Sequence, residues 1–590
     1  MVMISNYLPF ATATTTLQAS TYLLAVCLFS ISFLVFLNSS VSFVITDLIG
    51  IKDGVGDLVG TLGFVDELVA LVACPVWGIL SDRLGVRAVC VMGYTIVGLA
   101  LMLFVQARNV YPQLLLARLF FSVGGAATAT MVTAILPSMT GNERDSRSQN
   151  AHAEEAASPL LSSNARNSVA ASLDSQATIT QDRYAQEGQP ELERVNGQLK
   201  KSKRKSGSSP SRLAGLVGVF TGCGALVALS VFLPLPAQFS HMEGVTQGQA
   251  VADSFYVVGS VSILVAVFCY FGLRGLQGEE GKGWQMLTGK TDRDEYQSLS
   301  AEDGGQPSRV APFLPYWRLL LDSTVLGFKD AQIGLGYLGG FVARASSVGI
   351  SLFIPLYINA YFIRNGFCQG SPNDPSPELK KECRAAYVLS AELTGISQLV
   401  ALLCAPLFGY LSDRYRRFNV PLLVASVFGI IGYTAFARLI SPEPKDIEGR
   451  GGSPVVFLIV SMIGISQIGA IVCSLGLLGR GVLGAEGGYN LSSQLTRPSS
   501  AALNDGAETA PLVGTMPRTS ASRNHLKGSI AGVYSLSGGA AILLLTKLGG
   551  YLFDSLSTGA PFYMMAIFNA ILLFIGIGAG VYREVRTRHS

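Results

Sequence analysis

The sequence predicts an all-α membrane protein, with twelve transmembrane helices in two pseudo-symmetric six-helix bundles. Three observations carry that prediction. First, 49% of the 590 residues are hydrophobic and only 14% are charged, with a mean hydropathy of +0.42; soluble domains carry about 25% charged residues. Second, the chain holds twelve apolar runs of roughly 20 residues, the length that crosses a bilayer core as a helix. Third, Leu68–Arg83 (LVALVACPVWGILSDR) and Leu399–Arg414 (LVALLCAPLFGYLSDR) are identical at ten of sixteen positions. A repeat this far apart marks two homologous halves, not a short-period solenoid. Membrane proteins of two matching halves are most often transporters.

The elements follow in order. A short N-terminal tail (1–20) leads into runs at about 22–44, 58–80, 87–107 and 111–137, with two more at about 213–235 and 254–274. These six form the first bundle, residues 21–140 and 211–274. The second bundle, residues 326–479 and 528–582, takes runs at about 334–361, 386–411, 419–438, 454–478, 528–550 and 561–582. The first run begins near Thr21 without a basic segment before it, so it reads as a retained span and not a signal peptide. The 65 glycines suit helices that approach closely in lipid. Residues 141–210 and 480–527 are polar and small, with too few apolar side chains for a core, and are expected to be disordered. Residues 275–325 join the bundles, and 583–590 form a tail.

Loops on one side of the predicted membrane, with the tail, hold most of the 43 Lys and Arg. The positive-inside rule then places both termini in the cytoplasm. The basic run Lys200–Lys205 either lies against anionic lipid or serves as a solvated topology signal.

Each copy of the repeat ends its apolar run in Gly-x-Leu-Ser-Asp-Arg. The first reads Gly78-Ile-Leu-Ser-Asp82-Arg83-Leu-Gly85-Val-Arg87, and the second Gly409-Tyr-Leu-Ser-Asp413-Arg414. These residues resemble the gating motif of the major facilitator superfamily, Gly-x-Leu-x-Asp-Arg-x-Gly-Arg-Arg, which lies between spans 2 and 3 and recurs between spans 8 and 9. The second copy lacks the later Gly, having Tyr415-Arg416-Arg417 instead. The resemblance implies the superfamily's fold and a gate at the cytoplasmic helix ends. There Asp82 would face the N-terminus of span 11 near Gly528-Ser529, and Asp413 that of span 5 near Ser211; a carboxylate is stabilised at a helix N-terminus. Leu-Leu-Leu-Ala-Arg118-Leu-Phe-Phe-Ser122-Val-Gly124 also resembles a span 4 motif of the family, with Ser122 in place of its first Gly. The nearest subtype is the fungal type of drug:proton antiporter. Span 5 departs from it, with Cys223 where that group carries Pro.

Charges within spans are the second signal. Asp66 and Glu67 lie about nine residues into span 2, or roughly 13 Å deep; Arg118 in span 4 and Arg344 in span 7 lie at similar depth. An intramembrane charge costs ~2.5–3.5 kcal/mol or more unless paired or facing water. The four residues are therefore either a structural salt-bridge cluster or a proton-coupling site in which one acid takes up H⁺. In the second half Ser397 and Gln398 replace the two acids, which assigns such a site to the first half. Asn38 and Ser39, deep in span 1, either line a substrate cavity or bond neighbouring helices. Glu392 and Lys547 are expected to snorkel.

Cys368 and Cys383 share one non-cytoplasmic loop, where an oxidising compartment favours a disulfide. Tyr296-Gln-Ser-Leu299 fits a trafficking-adaptor signal and Leu160-Leu161 nearly fits one, which tilts localisation toward a vacuolar or endosomal membrane over the plasma membrane. No Cys or His spacing suggests a metal, and no phosphate-binding loop or catalytic constellation appears. The expected partners are a small organic substrate and the lipid bilayer, with no nucleic acid and no cofactor beyond H⁺ as coupling ion. A monomeric secondary transporter working by efflux or vacuolar loading is the leading expectation. An uncoupled facilitator or importer, or a non-transporting sensor or scaffold, are the alternatives.

Overall fold

The computed structural model describes residues 9–11, 14–51, 55–140, 209–240, 245–279, 282–283, 316–365, 384–415, 418–446, 451–483 and 526–589. Among these residues there is no strand. The chain divides into two units. One comprises Met1–Ala13 with Thr140–Ser209, of which few residues are described. The other, Thr14–Met139 with Pro210–Ser590, carries the helical bundle.

Among the described residues, twelve helices are long and apolar enough to cross a membrane: Thr16–Ile49, Leu58–Leu84, Val86–Phe104, Val110–Thr140, Pro210–Ser240, Gln247–Gly272, Ala331–Arg364, Val388–Arg414, Val420–Ala437, Val455–Leu483, Lys527–Ser555 and Ala560–Val585. They are called spans 1 to 12. Most outrun the apolar stretches because polar residues at their ends continue the helix: span 10 includes Arg480, and span 11 begins at Lys527. A further helix, Tyr316–Lys329, crosses the boundary drawn at 325 and leads into span 7 through the single residue Asp330.

The two halves repeat one another in packing. Span 3 pairs with span 6, and span 9 with span 12. Each half has its own aromatic core. Phe33 stacks on Phe232 at 6.1 Å and Phe104 on Phe255 at 5.7 Å in the first half. Tyr357, Phe436 and Phe562 gather in the second. The halves join mainly through span 2 against span 11, and span 5 against spans 8 and 10.

Small residues make those joints possible. A Cβ on Gly78 would meet the backbone of Gly528 and stand 2.8 Å from Gly532 Cα. A Cβ on Gly409 would stand 2.8 Å from Gly215 Cα and 3.0 Å from Ser211 O. The two joints are thus the same contact made twice, with Gly532 and Gly215 in equivalent places. Spans 5 and 11 also share a π-helical turn. Each begins thirteen residues past the contact glycine, at Ala228–Phe232 and at Leu545–Gly549. Such turns occur inside α-helices, frequently at functional sites.

Candidate functional site

Both copies of the motif lie at the end of the bundle that carries the starts of spans 1, 5 and 11, here the motif end. Asp82 is 5% exposed and belongs to the last turn of span 2. It accepts hydrogen bonds from the backbone N–H of Gly528 and of Ser529, both at 2.7 Å, and from Ser529 Oγ at 2.6 Å. The first residues of a helix have N–H groups without intrahelical acceptors, and Leu526 at the N-cap offers no side-chain bond. Asp82 therefore caps span 11 from the opposite half.

A second buried group adjoins it. Lys527, 2% exposed, pairs with Glu279 and donates to Ser138 Oγ of span 4 at 2.5 Å. Glu279 also meets Lys282 at 3.1 Å and accepts the Val86 N–H at 2.7 Å, which caps span 3. Gly85, which precedes Val86, has φ +89°, and a Cβ there would meet Glu279 Oε2 at 2.7 Å. Both facts call for glycine. Burial alone would raise the Glu279 carboxyl, but the ammonium groups of Lys527 and Lys282 and the Val86 N–H outweigh it and hold it below its ordinary value. Arg83 is buried, and the Arg87 guanidinium lies 5.0 Å from the Tyr270 ring centroid.

The second copy is built differently. Asp413 pairs with the Arg212 side chain at 2.7 Å. Arg212, Tyr410, Asp413 and Arg414 line an open pocket of about 340 Å³. Arg480 of span 10, 4% exposed, donates to Ser211 and to Asn419 Oδ1, the latter at 3.3 Å. Asn419 takes the left-handed backbone conformation (φ 48°) just before span 9. It fills the role of Gly85, three positions farther from its Asp than Gly85 is from Asp82.

At mid-depth, Arg118 is 3% exposed and its NH2 donates to Asp66 Oδ2 and to Asn38 Oδ1, each at 2.6 Å. Ser122 Oγ donates to the Asp66 carbonyl at 2.8 Å. Spans 1, 2 and 4 are thus tied at one level. Asp66 Oδ1 and Arg118 Nε and NH1 are buried with no hydrogen-bond partner. Glu67 lies in electrostatic range of Arg118 and, across the interface, of Arg344. Arg344 lies over Gly538 of span 11, where a Cβ would stand 2.6 Å from its Cγ. Asp66 and Arg118 thus form an ion pair within the first half, with Glu67 beside it in electrostatic range of Arg344 of the second. Ser39 is half-buried beside Asn38. Ser397 is fully buried, whereas Gln398 and Glu392 are exposed. Lys547 Nζ lies 3.9 Å from the Phe64 ring centroid, a cation–π contact between spans 11 and 2.

Glu279, Lys527, Ser138, Arg480, Arg212 and Asn419 do not figure in the sequence expectations. Lys527 and Arg480 fall inside the polar segment assigned to a loop, and Glu279 lies in the connection between the bundles. Cys368, Cys383, Tyr296, Leu299, Leu160, Leu161 and the Lys200–Lys205 run lie outside the described residues. Among the described residues, no cluster of three or more His, Cys, Asp or Glu could hold a metal ion.

No curated protein matches the chain. Solved structures resemble it at low identity over nearly its whole length. The major facilitator superfamily proton:xylose symporter XylE, bound to 6-bromo-6-deoxy-D-glucose, is 10% identical over 95% of this chain and 94% of its own, with a TM-score of 0.49. The human organic anion transporter MFSD10 (TETRAN) is 12% identical over 95% and 99%, with a TM-score of 0.48. A point mutant of the nucleoside transporter NupG is 13% identical over 96% and 100%, with a TM-score of 0.43. Residues 28–149, which hold Asn38, Asp66, Asp82, Gly85 and Arg118, match the Major Facilitator Superfamily family model, about a fifth of the chain.

Proposed function

We propose that the whole chain is a secondary active transporter of this superfamily, moving a small organic molecule by alternating access with protons as the coupling ion. The observation that carries the reading is the charge arrangement at mid-depth. Glu67 of the first half lies in range of Arg344 of the second, beside the Asp66–Arg118 pair. Protonating Glu67 removes its charge and with it the attraction to Arg344 across the interface. The halves are then free to part or close around that level, and the Asp66–Arg118 pair, anchored by Asn38 and Ser122, stays as the fixed reference. The polar locks at the motif end are hydrogen bonds and ion pairs on glycine contacts, which can break and reform. Efflux or vacuolar loading fits the nearest subtype, and the positive-inside rule supports a cytoplasmic motif end.

The test begins with a ligand taken from a thermal-shift screen of metabolites and drugs on the purified protein. Its flux into proteoliposomes is then measured with and without an imposed pH gradient. Glu67→Gln is expected to abolish the gradient's effect while leaving exchange without a gradient. Unchanged gradient-driven flux in Asp66→Asn/Glu67→Gln would refute proton coupling through this cluster.

A further inference from the structure

The helix Tyr316–Lys329 has three faces of different chemistry. One face packs on the bundle: Leu319 and Ser323 are buried, and the Ser323 carbonyl accepts from Tyr337 Oη at 3.1 Å. That face meets spans 7, 11 and 2, so it touches both halves at the motif end. A second face holds Arg318, Asp322 and Lys329. The third holds Trp317, Leu321, Val325 and Phe328, which fall on one stripe at helical spacing. These four are 59%, 50%, 42% and 92% exposed. So much exposed apolar surface on a helix too short to cross a membrane needs a partner. Its placement names one. Only Asp330 separates the helix from span 7, so the stripe lies beside the residues where span 7 begins.

We propose that Tyr316–Lys329 is an interfacial helix seated in the lipid leaflet at the motif end. Trp317, Leu321, Val325 and Phe328 enter the boundary between headgroups and acyl chains. Arg318, Asp322 and Lys329 face the headgroups and water. This is the arrangement by which amphipathic helices lie in a membrane surface, and Trp is favoured at that depth. The packed face, with Leu319 and Ser323, rests on spans of both halves, so the leaflet supports the closed gate directly. The reading is independent of the substrate and of proton coupling.

The chain has three Trp. In full-length protein carrying Trp77→Phe and Trp284→Phe, Trp317 is the sole indole. Its emission is compared in phosphatidylcholine vesicles and in vesicles whose lipids are brominated near the top of the acyl chain. Quenching of about two-fold or more is expected for an indole seated ~5–10 Å into the boundary. Adding Leu321→Ser and Phe328→Ser should remove most of it while leaving the thermal midpoint in detergent unchanged. If that variant fails to fold, the Trp317-only protein still decides. Unquenched Trp317 emission that changes as the protein is diluted among vesicles would mean that a second copy covers the stripe. Unquenched emission insensitive to dilution would mean that another segment of the chain does. Either result overturns the proposal.

Discussion

Gly78→Ala should loosen the clasp between the halves by a calculable amount. The added Cβ would stand 2.8 Å from Gly532 Cα and 3.0 Å from Gly532 N, and closer still to the Gly528 carbonyl. Favourable carbon contacts begin near ~3.5 Å, so spans 2 and 11 must part by roughly 0.5–1 Å. Overpacking of that size costs ~1–3 kcal/mol. Alanine's better helix propensity is gained whether or not the spans touch, so it cancels. The whole cost falls on the clasped arrangement and shifts its population about 5–150-fold. The readout is hydrogen exchange at the Gly528 and Ser529 amides, which Asp82 holds in the native clasp. They should exchange roughly five-fold faster or more. Gly578→Ala is the control, because a Cβ there meets nothing within 4 Å. If Gly78→Ala and Gly578→Ala exchange alike, the glycine joint does not set the closed state.

Asp82→Asn removes a charged acceptor of three bonds, each worth ~1.5–3 kcal/mol when charged; a lower thermal midpoint in detergent checks it, and an unchanged midpoint contradicts the cap. Glu279→Gln tests the adjoining lock by pH. The Glu279 carboxyl is held below its ordinary value of 4.5, so it stabilises the fold above that pH and the benefit is lost as pH falls through the lowered value. Glu279→Gln should therefore be less stable than wild type near neutrality, and the gap should narrow as pH falls below about 4.5. At mid-depth, Asp66→Asn alone leaves Arg118 buried without its counter-charge, at a cost of ~3–5 kcal/mol. Asp66→Asn with Arg118→Gln should recover part of that loss in denaturation melts, whereas additive losses would show that the pair is not coupled.

The architecture was readable because its signals are physical and local. Twelve apolar runs follow from the length of a bilayer crossing, and the repeat at Leu68 and Leu399 divides them into halves. Asp82, Arg118 and Asp66 stood out because a charge in or beside an apolar run is costly and needs a reason. The partners of those residues were less legible. Lys527 and Glu279 sit in polar surroundings, where a charged residue is ordinary, and only folding removes them from water. Asn419 is not legible in the sequence because the extra residues before span 9 shift it out of register with Gly85. Tyr316–Lys329 has too few apolar residues to stand out as a span. Its stripe emerges only when exposure is mapped on the helix.

Among the described residues, the polar contacts that join the halves at the motif end pair a residue before 284 with one after 315. Asp82, Ser138, Arg212, Ser211 and Glu279 come before residue 284; Lys527, Gly528, Ser529, Asp413 and Arg480 come after 315. The peptide link between bundles contributes Glu279 and Lys282, and both come before residue 284. A chain cut within residues 284–315 would thus yield two fragments, each with its own aromatic core and one complete face of every clasp. Such fragments, made as separate polypeptides in one membrane, carry what they need to find each other.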